Sequence, residues 1–137
     1  MRLFRVLFCF AAFFALAFPA GAARVAPLQE FDDLPITSGS GKPLSNEQIR
    51  AAIVRGGAAH NWVASAPAGN VVRLTYSRRD HSATVQVTYS AKTYSIKYAD
   101  STNLNYSQNG GKVVIHQNYN KWINSLRQSI DANLRSQ

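Results

Sequence analysis

Three stretches in the middle of the chain alternate apolar and polar residues almost without interruption. Val72, Leu74 and Tyr76 alternate with Arg73, Thr75 and Ser77 over Val71–Ser77. Ala83, Val85, Val87 and Tyr89 alternate with Thr84, Gln86 and Thr88 over Ser82–Ser90. Tyr94, Ile96 and Tyr98 alternate with Ser95 and Lys97 over Thr93–Ala99. A period of two places each set on one face of a strand, and the connectors Arg79-Asp80-His81 and Ser90-Ala91-Lys92 are short and polar. The pattern predicts an antiparallel meander with one apolar face and one face rich in hydroxyls. The apolar face needs a cover.

Helical spacing on either side supplies it. Ser45 with Gln48 three residues later forms a capping box, and Ile49, Ala52, Ile53 and Gly56 follow along one side. Gly56-Gly57 weakens the helix interior and marks its fraying end towards His60 and Trp62. At the C-terminus, Tyr119, Trp122, Ile123, Leu126, Ile130 and Leu134 make one stripe along a helix, opposite Lys121, Ser125, Gln128, Asp131 and Arg135. Asn109-Gly110-Gly111 signals a tight turn, so Leu104–Ser107 and Lys112–Ile115 are candidates for a small extra hairpin. The expected architecture is an α+β two-layer sandwich: helix, three-stranded antiparallel meander, helix, with both helices on one sheet face.

The segment before this domain has a different character. Met1–Arg5 carries two positive charges, Val6–Phe18 is unbroken apolar sequence, and Ala20-Gly21-Ala22 follows. That order describes a secretory signal peptide over residues 1–22. The run is shorter than the roughly 20 residues a spanning helix needs, so the processed chain is expected not to be transmembrane. Residues 23–44 read as a flexible leader or linker, holding Pro27, Pro35, Pro43 and the run Thr37-Ser38-Gly39-Ser40-Gly41. Leu28, Phe31, Leu34 and Ile36 give this leader a means of docking on the domain as a partly ordered arm. Residues 45–137 form the single α+β domain.

Composition narrows the chemistry. The single cysteine, Cys9, lies inside the apolar run, so the processed chain has no thiol for a disulfide, a nucleophile or a metal. Removing Arg2 and Arg5 reduces the formal charge from +8 to +6. In an exported protein that charge points to anionic envelope surfaces rather than nucleic acid. His60, His81 and His116 lie in different elements without metal-ligand spacing, and Glu47, Asp80, Asp100 and Asp131 are unpaired in sequence. No cofactor motif is present; Gly39-Ser40-Gly41-Lys42 follows no strand and lacks the spacing of a phosphate loop. Two surfaces stand out. One is the hydroxylated sheet face of Thr75, Thr84, Thr88 and Ser95; the other is the stretch Tyr98–Trp122, dense in Asn, Tyr and His. Amide and aromatic side chains together suit glycans or peptides, while asparagine also serves irregular loops.

The sequence also resembles a family. Arg79-Asp80-His81-Ser82-Ala83-Thr84-Val85, Tyr94-Ser95-Ile96-Lys97-Tyr98, Asn103-Leu104-Asn105-Tyr106, Ile115-His116 and Asn118-Tyr119-Asn120-Lys121-Trp122-Ile123 are similar to small exported proteins of Gram-negative bacteria. Those proteins are commonly labelled putative lipoproteins or proteins of unknown function. The resemblance covers about Ser45 to Leu134 and implies an envelope location, with no reaction and no functional residues to transfer. Many relatives carry a lipobox cysteine, whereas Phe8 precedes Cys9 here, which argues for a cleavable, non-lipid signal.

The resulting expectation is a non-enzymatic periplasmic protein, or a secreted one, that binds an envelope protein, a glycan or an anionic envelope surface. Its candidate binding surface comprises Arg79, His81, Asn103, Tyr106, His116 and Asn118. Two other classes stay open. One is a small hydrolase or lyase using His81 or His116 as general base, which requires a histidine beside an acid or hydroxyl in a cleft. The other is a secreted inhibitor-type protein.

Overall fold

The computed structural model of the chain describes residues 24–66 and 68–137; residues 1–22, expected from sequence to be a signal peptide, lie outside the described residues. In chain order the elements are β1 (Val25–Pro27), β2 (Phe31–Pro35), α1 (Asn46–Ala58), β3 (Val63–Ala64) and β4 (Val71–Arg78). They continue with β5 (His81–Tyr89), β6 (Thr93–Thr102), β7 (Ser107–Asn109), β8 (Lys112–His116) and α2 (Gln117–Arg135). The strands form two antiparallel sheets, one of five in the order β2-β6-β5-β4-β3 and one of three in the order β1-β8-β7.

This corrects the expected fold. The chain is not a helix–three-stranded meander–helix sandwich built on one sheet. The meander exists as β4-β5-β6, but β2 adds to its free edge beside β6 and β3 adds to the other beside β4. The physical reason is that a three-stranded sheet leaves two rows of unpaired backbone groups, and short flanking segments satisfy them. Phe31 pairs with Ile96 and Leu34 with Tyr94, with an irregularity between them where Asp33 adopts a φ of 48°. The prolines that argued against structure in this segment stand at strand ends, Pro27 closing β1 and Pro35 closing β2, positions an imino acid tolerates. Leu28, Phe31, Leu34 and Ile36 all pack against the core.

The second sheet is built from the hairpin signal at Asn109-Gly110-Gly111. Both glycines have positive φ, which lets β7 and β8 pair through Asn109 and Lys112. β1 covers the other side of β8, with Val25 opposite His116 and Ala26 opposite Ile115. Asn120 of α2 holds the crossing between the two sheets: its Nδ2 donates to Pro27 O (2.8 Å) and its Oδ1 accepts from Gln29 N (3.0 Å).

Both helices begin and face as their spacing requires. Ser45 Oγ accepts from Gln48 N while Gln48 Oε1 accepts from Ser45 N, completing the capping box. α1 buries Ile49, Ala52, Ile53, Gly56 and Gly57, and α2 buries Tyr119, Ile123, Leu126, Ile130 and Leu134. These join Val72, Leu74, Ala83, Val85, Val87, Tyr94 and Ile96 of the large sheet in one core. Burying each large apolar side chain contributes roughly 1.5–3 kcal/mol. Among the described residues no helix is long and apolar enough to cross a membrane.

Candidate anion-binding cleft

The candidate site lies where the β4–β5 hairpin, the start of β1 and the β8–α2 junction meet. Arg78 and His81 are cross-strand partners at the tip of the hairpin, joined by the two-residue turn Arg79-Asp80. Arg79 holds a left-handed φ of 57°, a conformation that costs an ordinary residue about 1 kcal/mol. Asn103, itself at φ 57°, donates from Nδ2 to Asp80 O at 2.6 Å and so ties the β6–β7 connection to this turn. Across the cleft, His116 ends β8 and caps α2. Its backbone N–H donates to Leu104 O (2.7 Å), and its Nδ1 accepts from Asn118 N at 3.2 Å. The Val25–His116 pairing carries Arg24 to the same place.

Between these elements is a cleft of about 280 Å³, lined by Arg24, Arg78, Arg79, His81, His116 and Asn118 and floored by Leu104 and Trp122. Three guanidinium groups and two imidazoles therefore share one concavity. No carboxylate is among its lining residues; Asp80, in the same turn, is engaged with His81, Nδ1 to Oδ1 at 2.9 Å. The acceptor role of Nδ1 in His116 places the proton of the neutral ring on Nε2, a donor. Partial burial holds the His116 pKa below the usual histidine value, and the charges of Arg24, His81 and Lys121 push it the same way. The positive end of the α2 macrodipole adds to this field. Chemically the cleft gathers hydrogen-bond donors and cations, a complement to negative charge.

Arg79, His81, His116 and Asn118, four of the six residues singled out from sequence, line this cleft. Asn103 and Tyr106 line a separate shallow recess on the far side of Leu104, together with Tyr98 and Asp100. There Tyr106 stacks on Tyr98, ring centroids 4.3 Å apart and the planes within 1°. The six residues thus divide between two neighbouring surfaces. Among the described residues no three His, Asp or Glu side chains group as a cation site.

Sequence reasoning missed Arg24, Arg78 and Trp122. Arg78 continues the inward alternation of Val72, Leu74 and Tyr76, so extending that strand by one residue would have found it. Trp122 stood in the helical stripe and at the end of the Tyr98–Trp122 stretch, but not among the six candidate residues. Arg24 carried no signal, because its place depends on β1 pairing with a strand some ninety positions later. Compared with family models, with curated proteins and with solved structures, the chain matches none.

Proposed function

We propose that the chain is an exported, non-catalytic binding protein of the cell envelope that holds an anionic group in the cleft between the β4–β5 hairpin and the start of α2. One observation carries this reading: Arg24, Arg78 and Arg79 line a single concavity without a lining carboxylate to neutralise them. Guanidinium groups pair bidentately with phosphate or carboxylate, and His116 adds a directed Nε2–H. Calorimetric titration of the exported protein with inorganic phosphate at low ionic strength tests it. Saturable binding that weakens about tenfold in R78A and again with added salt supports the proposal. Absence of binding to wild-type protein overturns it.

A second reading rests on the 2.9 Å contact of His81 with Asp80. A carboxylate that holds Nδ1–H leaves Nε2 as a base, the arrangement a histidine-dependent hydrolase needs to deprotonate a water. Release of nitrophenol from bis(p-nitrophenyl) phosphate, abolished in H81Q, would favour this reading over simple binding.

A further inference from the structure

We infer that the ligand is a sugar bearing an anionic substituent, its charge in the arginine cleft and its ring in a second, aromatic pocket on the other side of Trp122. This rests on the anion-binding reading and extends it to a ligand class.

The second pocket has a volume of about 180 Å³ and is lined by Trp62, Tyr76, Trp122, Ser125, Asn61 and His60. Its three aromatic rings form a continuous run: Trp62 to Tyr76 at 5.5 Å between centroids and Tyr76 to Trp122 at 4.8 Å. Trp62 is buried, but Tyr76 and Trp122 are only partly so, leaving aromatic surface to the pocket. No Lys, Arg, Asp or Glu lines it. Flat apolar surface edged by an amide and a hydroxyl suits a polyhydroxylated ring, which presents C–H groups on its faces and O–H groups at its rim.

The two pockets are in line rather than merely close. Asn118, Trp122 and Ser125 of α2 stand at i, i+4 and i+7, hence on one stripe, and they line the first pocket, both pockets and the second pocket respectively. That stripe spans about 10 Å at 1.5 Å per residue. Facing it, Tyr76 and Arg78 of β4 occupy successive positions on one sheet face, about 7 Å apart. Tyr76 lines the aromatic pocket and Arg78 the cationic one. Helix and strand therefore set the two chemistries in the same order, with Trp122 as the residue common to both pockets. A monosaccharide with a phosphate or carboxylate on its exocyclic carbon matches that span and that order.

The two tryptophans of the whole chain, Trp62 and Trp122, both line the aromatic pocket, so selectively excited tryptophan emission reports on it. The test titrates the exported protein with glucose 6-phosphate, glucuronic acid, inorganic phosphate and glucose, by fluorescence and calorimetry. Glucose 6-phosphate or glucuronate should bind at least tenfold tighter than inorganic phosphate and shift the tryptophan emission. The tighter of the two identifies the substituent as phosphate or carboxylate. In S125Q, which fills the aromatic pocket from the helix side and changes no residue lining the cationic cleft, that advantage should shrink to about twofold while phosphate affinity is retained. Phosphate binding with no gain from the sugar overturns the inference and leaves the anion site standing. Binding of none of the anions removes both.

Discussion

Gly56 of α1 lies directly against the backbone of Ile130 in α2: a Cβ at position 56 would stand 2.8 Å from both the Ile130 N and Cα. The two helices cross at this glycine, and the close approach is what lets both rest on the same sheet. Replacing an internal helical glycine by alanine ordinarily stabilises by about 1 kcal/mol. Here the sign reverses, because the obstructing atoms are main chain and cannot rotate away. Gly56→Ala is expected to destabilise by about 1–3 kcal/mol in chemical denaturation. An unchanged or raised midpoint would show that the helices do not meet here.

Two buried tyrosines offer a contrast. Burial pushes both phenol pKa values above the usual tyrosine range, and for Tyr94 the neighbouring Asp131 adds to the effect. Tyr94 donates to Asp131 Oδ1 at 2.6 Å, and Asp131 Oδ2 accepts from Arg127 at 3.1 Å. The Tyr119 hydroxyl has no hydrogen-bond partner among the described residues. Tyr94→Phe should therefore cost about 1–2 kcal/mol, whereas Tyr119→Phe should be neutral or stabilising. Equal losses from the two substitutions in thermal melts would refute this accounting.

Arg79 combines a strained backbone with a proposed ligand contact. Arg79→Gly relieves the left-handed conformation while removing one cation from the cleft. The expected result is unchanged or raised thermal stability together with a several-fold loss of phosphate affinity. Retention of full affinity would take Arg79 out of the site.

Acid should weaken the folded state through His116. Its folded pKa lies below the ordinary value, first through burial and then through Arg24, His81 and Lys121. The unfolded chain accordingly takes up the proton first as pH falls below about 6.5. Stability associated with this residue is present above that pH and is lost as pH drops towards the folded pKa. Bound phosphate should restore it by pairing with the protonated ring. His116→Asn keeps an acceptor for the Asn118 N–H and removes the titration. Melting curves from pH 7.5 to 5 should show a smaller acid-induced drop in this variant; identical drops would place the sensitivity elsewhere.

Much of the fold was legible because it is local. Alternation marked β4, β5 and β6, and the capping box and apolar stripes marked α1 and α2. β6 runs on to Thr102, past the expected end at Ala99, because an irregularity opposite Thr84 and Val85 keeps Asp100–Thr102 paired with β5. A run of Asp, Ser, Thr and Asn reads as a turn until a neighbouring strand claims its backbone. The site was partly legible for the same reason. Arg79 and His81 sit in a recognisable turn, and His116 and Asn118 open a recognisable helix. Nothing local brings Arg24 to them.

From residue order alone come the period of each element, the ends of both helices, the basic charge and the absence of cysteine after Cys9. These depend on interactions spanning a few residues, which spacing records directly. Whether residues 25–35 would be linker or strand, how many sheets form and which cations share one cleft were settled only by the folded chain. Backbone groups pair with whatever edge folding brings alongside, and β1–β8 and β2–β6 join segments separated by most of the domain. That pairing leaves no periodic trace in either partner.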